Sequence, residues 1–142
     1  MIRLALALSL LLSFTLSTTA QDNRPSSADA SAVRATVTNY IEGYFTGDSH
    51  RMEKTLHPHY LKHVIHRDIP MREMTAAQMV AAVRENGPAD LSAEQKTEQV
   101  TVLDIAGEIA SAKLVTPGWQ DYMTLSKVNG EWKILSVVQR ID

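Results

Sequence analysis

The chain has 142 residues, with 14 Lys or Arg, 16 Asp or Glu, five His and no Cys. Its formal net charge of −2 argues against a nucleic-acid-binding protein, which normally presents a basic face. Without Cys, disulfides, thiol catalysis, Cys-ligated metals and a lipidated Cys are all excluded. Composition therefore indicates one small domain and leaves its function open.

The first 20 residues are typical of a secretory signal peptide. Arg3 precedes an apolar run over residues 4–16, and small residues ending at Ala20 follow. The run is shorter than the roughly 20 residues that a membrane-spanning helix needs. We expect cleavage after Ala20, export to the periplasm or medium, and no stable membrane anchor. Residues 21–30 hold no large apolar side chain, which predicts a disordered leader before a folded domain at residues 31–142.

Two helices are predicted in the segment that follows the leader. The first ends at Gly47 and buries a face of period 3.6, formed by Val33, Val37, Tyr40, Ile41 and Tyr44. A shorter helix begins at Asp48 or Ser49 and ends at His57 and Pro58.

A third helix carries clear signals at both ends. Thr75 and Gln78 form a capping box, and Gly87 with Pro88 ends the helix. Met79, Val80 and Val83 are predicted to be its buried stripe.

After Pro88 the hydrophobic period changes from 3.6 to 2, which indicates strands. Asn129 and Gly130 are the strongest short-range hairpin signal in the chain. Early helices followed by hairpin-linked strands predict an α+β domain with an antiparallel sheet. The strands are expected at residues 99–105, 109–116, 119–128 and 131–140.

The hairpin at Asn129 and Gly130 makes a specific prediction about a carboxylate. A two-residue turn pairs Val128 with Glu131 and, farther along the strands, Asp121 with Val138. Asp121 then lies on the core side, where it must be paired, hydrated in a pocket or protonated. The face expected to meet the helices consists of Asp121, Met123, Leu125, Lys127, Trp132, Ile134, Ser136 and Val138.

This order of elements resembles the nuclear transport factor 2-like superfamily over residues 31–140. It is most similar to the branch named putative lumazine-binding, which is related to the SnoaL-like and ketosteroid isomerase groups. The resemblance lies in Tyr40, Gly43-Tyr44, Gly47-Asp48, Leu56-His57-Pro58, residues 110–113 and, above all, residues 121–134.

The resemblance implies an α+β cone, in which a curved antiparallel sheet wraps around about three helices and encloses a pocket. A homodimer is implied as well. The superfamily includes isomerases, dehydratases, cyclases and binding proteins, so the fold alone does not choose among them. Isomerase relatives use a carboxylate base on the first strand, whereas residues 62–68 hold no acid at the strand's centre. His66 or Asp68 would have to take that role.

All five histidines lie between His50 and His66, and two interpretations follow. On a helix, His59, His63 and His66 would share one face and present imidazoles to Zn²⁺ or Cu²⁺. On a strand, His63 and His66 point to opposite faces and form no site. The aromatic and β-branched neighbours favour a strand, so we expect no metal and no other cofactor.

The candidate catalytic residues are His57, His66 and Asp121. His57 either caps the second helix or acts in the pocket as a general base or acid. Asp121 either bonds to Tyr40, Tyr44 or nearby backbone, or is a pocket carboxylate whose pKa is raised by burial. In the second interpretation, His57 and Asp121 form an acid–base dyad.

The candidate ligand-binding residues are mainly aromatic. Trp119 follows a turn and is expected at the pocket mouth, where its ring can stack on a flat ligand. The other candidates are Tyr40, Tyr44, Met123 and Trp132, for each of which core packing is the alternative.

The sequence thus predicts an exported protein that binds a small organic molecule in an apolar, cone-shaped pocket. The alternative is a cofactor-free enzyme of proton-transfer type, an isomerase, dehydratase or hydrolase, that uses a His/Asp pair. A third interpretation is an interaction module that binds a partner through its sheet.

Overall fold

The computed structural model describes residues 27–142, so the predicted signal peptide and most of the predicted leader lie outside the described residues. Three helices and six strands alternate along the chain, and they confirm the α+β class. Their bounds are α1 Ser27–Thr46, α2 Ser49–Thr55, β1 Leu56–His66, β2 Ile69–Thr75, α3 Ala76–Asn86, β3 Gln99–Ala106, β4 Ile109–Thr116, β5 Trp119–Val128 and β6 Glu131–Ile141.

The strands form one curved, unclosed sheet in the order β2-β1-β6-β5-β4-β3. Four neighbouring pairs are antiparallel, as predicted, but β1 and β6 run parallel. The parallel pair joins the two chain segments that flank α3 and β3–β5, and β1 lies between the edge strand β2 and β6. The concave face of the sheet packs on the helices.

The main core lies between α1 and the sheet. The buried face of α1 includes the fully enclosed Val33, Val37, Tyr40 and Ile41, which repeat at helical spacing as the sequence predicts. The helix α3 buries Met79, Val80 and Val83 and packs against β1 and β2. The capping box of α3 is present, because Thr75 accepts from the backbone N–H of Gln78 and the Gln78 side chain accepts from that of Thr75.

The first helix begins earlier than the sequence predicts, at Ser27 instead of residue 31. Asp29 explains the difference, because its carboxylate accepts a hydrogen bond from Trp132 Nε1 at 3.0 Å and lies 2.5 Å from Lys127 Nζ. Ala30 also packs against the core. A short polar segment is therefore ordered by contacts with the β5–β6 hairpin that no local pattern reveals.

The sequence also gave no sign of β2. Its side chains are almost all exposed, and Pro70 lies near its start. It is an edge strand, the one place in a sheet where a proline is readily accommodated. Without a buried face, β2 shows no alternation of apolar and polar residues.

The predicted hairpin register holds from the turn to the Leu125–Ile134 pair and then shifts by one residue. A β-bulge at Leu135 reverses the faces of the rest of β6, as bulges do. Val137 and Gln139 therefore face inward in place of the predicted Ser136 and Val138. Asp121 stays on the core side, opposite Gln139.

None of the helices within residues 27–142 is both long enough and apolar enough to cross a bilayer.

Candidate functional site

A cavity of about 520 Å³ opens between α1, α3 and the concave face of the sheet. Its wall on the α3 side is mainly apolar, formed by Met79, Ala82 and Val83, with the polar Asn86 at the end of the helix and Asp90 beyond it. The sheet side supplies polar groups from four strands: Lys62 from β1, Arg72 from β2, Asp121 from β5 and Gln139 from β6. The cavity is therefore amphipathic, as binding sites for small organic molecules commonly are.

Asp121 is the most deeply buried charged group of the cavity, with a fully enclosed side chain. Neither of its carboxylate oxygens has a hydrogen-bond partner among the described residues. The nearest cation is the ammonium of Lys62, whose Nζ lies 4.0 Å from Oδ2. Because a buried carboxylate is normally hydrogen-bonded, these two free oxygens indicate a position where a ligand or water completes the structure.

Lys62 is itself only 5% exposed, on the inward face of β1. Its Nζ donates a hydrogen bond to the Tyr40 hydroxyl at 3.1 Å, and that hydroxyl lies 3.3 Å from the hydroxyl of Tyr60. The ammonium also lies 5.7 Å from the centre of the Tyr40 ring. A chain of polar groups thus connects Asp121 to the two tyrosines within the core.

Burial shifts the pKa values of this cluster toward the neutral forms. The pKa of Asp121 is raised above 3.8 by burial, although Lys62 and Gln139 oppose the shift. The pKa of Lys62 is lowered from 10.5, first by burial and in part by Arg72, while Asp121 opposes the shift. Burial likewise raises the pKa of Tyr40 and of Tyr60, which keeps both phenols protonated at neutral pH.

Two aromatic rings meet where the cavity approaches solvent. Tyr44 on α1 packs edge-on against Trp119 on β5, with ring centres 5.9 Å apart and an interplanar angle of 88°. Both side chains line the cavity, and neither is fully buried. They form an apolar rim against which a flat ligand can pack.

Four of the candidate residues proposed from the sequence line this cavity: Asp121, Trp119, Tyr40 and Tyr44. Met123 and Trp132 do not line it. Met123 is buried in the main core, whereas Trp132 donates to Asp29 at the other end of the domain. The proposed hydrogen bond from Tyr40 or Tyr44 to Asp121 is not formed.

No histidine lines the cavity, so the predicted His57–Asp121 dyad is not assembled there. His57 lies in β1 rather than at the end of α2, and its Nδ1 accepts from the backbone N–H of His59 at 2.9 Å. Asp121 is level with Val64 across β6. Seven residues of strand separate Val64 from His57, which corresponds to roughly 20 Å.

His66 lies at the far end of β1, beside a bulge that separates it from Val64. Its Nδ1 is buried without a hydrogen-bond partner among the described residues. Asp68, the other proposed base, is exposed in the turn between β1 and β2. The strand conformation of residues 56–66 confirms the strand interpretation of the histidine-rich segment. Within residues 27–142, no group of three His, Asp or Glu side chains has the arrangement of a metal site.

A second, larger concavity of about 900 Å³ lies on the opposite side of α1. Asn39, Arg51 and Lys133 are among the polar residues that line it, together with the edge of Trp132. It contains no buried, unpartnered polar group among the described residues, since these belong to Asp121 and His66. The smaller cavity therefore has the stronger chemical indication of a site.

The sequence reasoning did not single out Lys62, Tyr60, Arg72 or Gln139. A signal for the first two was present, because Tyr60, Lys62 and Val64 alternate along β1 and place a lysine on an apolar face. Gln139 had no such signal, since its inward position depends on the bulge at Leu135.

Comparisons with known proteins agree with this architecture. The family model described as "Putative lumazine-binding" matches residues 28–139. No curated protein sequence matches the chain significantly.

Several solved structures share the fold. A nuclear transport factor 2-like protein of unknown function from Silicibacter pomeroyi has a TM-score of 0.69 and 18% identity, covering 84% of this chain and 100% of its own. A similar protein of unknown function from Shewanella baltica has a TM-score of 0.64 and 19% identity, covering 82% and 96%. A ketosteroid isomerase-like protein from Erwinia carotovora atroseptica has a TM-score of 0.58 and 10% identity, covering 81% and 97%. At such identities the likeness establishes the fold alone.

The family match extends over nearly all of the described residues and the fold is that of the solved relatives, so the chain belongs to the putative lumazine-binding family of the nuclear transport factor 2-like superfamily.

Proposed function

We propose that this protein is an exported small-molecule-binding protein whose ligand occupies the cavity between α1, α3 and the sheet. The observation that carries the proposal is the pair of unpartnered Asp121 oxygens, buried at a cavity of about 520 Å³. A fold that leaves a carboxylate without partners loses stability unless something else supplies the hydrogen bonds. A bound molecule is well placed to do so.

The distribution of polar groups describes the ligand. One end carries a polar group that bonds to Asp121, a donor where the carboxylate is ionised or an acceptor where it is protonated. The rest is apolar or aromatic to match Met79, Val83 and the Trp119 ring. The cavity volume suits a molecule of drug-like size or smaller. We infer a flat organic molecule with a single polar end.

The proposal is tested by filling the cavity. Ala82 lines it from α3, whereas Ala77 lies on the exposed side of the same helix, so Ala82→Trp is compared with Ala77→Trp. Binding of the neutral dye Nile red is followed by fluorescence, and protein purified from its own host is examined by native mass spectrometry. We expect dye binding, and any co-purified adduct, in the wild type and in Ala77→Trp but not in Ala82→Trp. Equal dye binding in all three folded proteins would overturn the proposal.

Export is proposed from the signal-peptide pattern of residues 1–20. Fractionation of host cells is expected to place the protein in the periplasm or medium, and the mature chain is expected to begin at Gln21. A cytoplasmic chain that retains Met1 or its apolar run would contradict the proposal.

We also propose a homodimer formed through the outer face of the sheet. Tyr122 and Val138 are paired across β5 and β6 and are 51% and 43% exposed. Ile65 and Val115 lie in the neighbouring row of the same face, with Arg140 and Gln120 between them. Lys113 and His63 flank the Tyr122–Val138 pair in the same cross-strand row, so the surface is apolar at its centre and polar at its rim.

Light scattering coupled to size-exclusion chromatography tests the dimer. The wild type and the control Ala77→Glu are expected at the dimer mass, and Tyr122→Glu at the monomer mass, because the change removes the central aromatic ring and a carboxylate there would have to be desolvated in the interface. A wild type that remains a monomer at 100 μM would refute the dimer, although it would leave the binding proposal intact.

The second candidate function is a cofactor-free proton-transfer enzyme. It is favoured by the opposite pKa shifts of Asp121 and Lys62, because paired groups with shifted pKa values are typical of acid–base sites. In this form Lys62, not a histidine, would be the partner of Asp121. Exchange of the α-protons of cyclohexanone in D₂O, followed by NMR, tests it. We expect faster exchange with the wild type than with Asp121→Asn, and no difference would exclude this activity for that ketone.

A further inference from the structure

We propose that the side-chain amine of Lys62 captures an aldehyde or ketone covalently, as an imine, inside the cavity. This inference rests on the proposed binding function and deepens it, because it assigns a carbonyl group to the polar end of the ligand. It concerns a residue that the sequence analysis did not select.

The position of Lys62 in the cavity favours reaction at this amine. Lys62 is the one lysine that lines the cavity among those of the described residues, and its Nζ is held there by the Tyr40 hydroxyl at 3.1 Å. Other lysines, such as Lys113 and Lys133, lie half-buried outside the cavity, Lys113 over the Tyr122 ring and Lys133 in an ion pair with Glu131. A carbonyl compound that enters the cavity therefore meets one amine.

The protonation state is the second argument, since an amine attacks a carbonyl only when its lone pair is free. Burial lowers the pKa of Lys62 and raises that of Asp121, so burial favours the pair in which the carboxyl group carries the proton. The titratable groups around Lys62 are Asp121 from β5, Tyr40 from α1 and Arg72 from β2. Tyr60 of β1 bonds to Tyr40, and Asp90, beyond α3, is also on the cavity wall. Among its cavity-lining residues, α3 contributes no titratable group.

Imine formation at Lys62 balances without any reactant other than the carbonyl compound. The Lys62 nitrogen forms a bond to the carbonyl carbon, and the carbonyl π electrons move to oxygen, which takes the proton held by Asp121. A proton lost from the nitrogen returns to the Asp121 carboxylate. The resulting carbinolamine loses its hydroxyl group as water, again protonated by Asp121, and the nitrogen lone pair forms the C=N bond. The product of this step is a protonated imine beside the Asp121 carboxylate. Transfer of its N–H proton to that carboxylate gives the neutral imine and restores protonated Asp121, so one carbonyl and one amine give one imine and one water.

Asp121 is well placed for both transfers. Its Oδ2 lies 4.0 Å from Nζ, close enough for one ligand oxygen to contact both groups. Neither of its oxygens has a partner with hydrogen-bond geometry among the described residues, although the nearby Gln139 side chain opposes the rise of its pKa. The Tyr40 hydroxyl, whose pKa burial raises, remains protonated and holds the amine in place. Met79, Val83 and Trp119 surround the carbon skeleton of the ligand.

Reductive trapping tests the inference on the full mature protein. Benzaldehyde is added with sodium cyanoborohydride at pH 7, and the lysine that becomes a benzylamine is located by peptide mass spectrometry over time. We expect modification of Lys62 at least tenfold faster than that of Lys113 or Lys133, which serve as internal controls within the same chain. Asp121→Asn is expected to slow modification of Lys62 at least tenfold and to leave the control lysines unchanged.

A second comparison separates this inference from the binding proposal. Lys113→Met, a control outside the cavity, is expected to bind Nile red and to keep the fast modification of Lys62. If Lys62 in the wild type reacts no faster than Lys113 while Nile red still binds, imine formation is refuted and the binding function stands. If Ala82→Trp leaves dye binding unchanged, the binding proposal itself fails. Should Asp121→Asn not fold, the rates at Lys62 and Lys113 in the wild type decide the question alone.

Discussion

Asp121 and Lys62 face each other across the inner surface of the sheet, with Nζ and Oδ2 4.0 Å apart, although β6 lies between their strands. The relationship requires three strands to be in register, since Asp121 lies opposite Gln139 and Gln139 lies opposite Val64. Two residues that are 59 positions apart in the sequence therefore share one cavity only because β1 and β6 run parallel.

The first prediction concerns the free energy of unfolding of this pair. Lys62→Met and Asp121→Leu each leave the other group of the pair buried without its partner, whichever of the two holds the proton, so each is expected to lower stability by about 3 kcal/mol. The double variant removes both polar groups and is expected to regain most of the loss. Urea denaturation measures all four proteins, with Lys113→Met as a surface control that changes stability by less than about 1 kcal/mol. Strictly additive losses in the double variant would show that the two groups do not interact.

The second prediction is a pH dependence that follows from Asp121. Because its pKa is raised above 3.8 in the folded state, the folded protein holds more protons than the unfolded chain between 3.8 and the raised value. The contribution of Asp121 to stability is therefore largest below 3.8 and declines as pH rises through that window. Asp121→Asn lacks this contribution.

The contribution of Asp121 is measured as the difference in urea midpoint between the wild type and Asp121→Asn at a series of pH values from 3.5 to 8. The stability of the wild type relative to Asp121→Asn is expected to fall with rising pH, while effects of all other carboxylates cancel. A relative stability that rises with pH would mean that Lys62 dominates and that the pKa of Asp121 is lowered.

Those parts of the fold that depend on neighbouring residues in the sequence were predictable from local patterns. The capping box of Thr75 and Gln78 and the turn at Asn129 and Gly130 each specify their own geometry within a few residues, and both are present. What the sequence could not show depended on distant contacts. The edge strand β2 has no buried face, so no alternating pattern marks it. The bulge at Leu135 exchanges the inward and outward faces in the second half of β6, and no glycine or proline there indicates it.

The candidate site was predictable in part for the same reason. The alternation of side chains along β5, counted from the hairpin turn, predicts that Asp121 faces inward. It does face inward, because the bulge lies in β6 rather than in β5. The histidines were chosen for their chemistry, since imidazole titrates near neutral pH, but chemistry does not fix position along a strand. Lys62 was not predicted as a site residue, although it alternates along β1 with Tyr60 and Val64, which face inward.

The third prediction concerns the early start of α1. Asp29 links the first turn to Trp132 and Lys127 of the hairpin, and an acidic residue in a first turn also interacts favourably with the helix dipole. Asp29→Asn is expected to lower the free energy of unfolding by about 1 kcal/mol and to speed amide exchange in the first turn. Hydrogen exchange mass spectrometry measures the effect, with Ser31→Ala as the control in the same helix. Unchanged exchange in Asp29→Asn would show that Ala30 packing alone orders this turn.

The fourth prediction compares two glycines with left-handed backbone. Gly47 follows α1 with φ of +69°, and a Cβ added there would lie 2.3 Å from the carbonyl carbon of Gly87. Gly107, in the β3–β4 turn, has a similar φ of +61° but nothing within 4 Å of an added Cβ. Gly107→Ala is therefore expected to lower the free energy of unfolding by about 1 kcal/mol, the cost of the left-handed backbone alone.

Gly47→Ala is expected to lose at least twice as much stability as Gly107→Ala, because the backbone of Gly87 and Pro88 has to move as well. These two residues line the cavity, and Ala89 beside them is tied to α1 through a hydrogen bond from its N–H to the carbonyl of Phe45 at 3.2 Å. Gly47→Ala should therefore also weaken Nile red binding in conditions where it remains folded, whereas Gly107→Ala should not. Urea denaturation and dye titration check the two effects separately. Equal losses of stability in the two variants would show that the chain at Gly87 yields freely and that the turn after α1 does not shape the cavity.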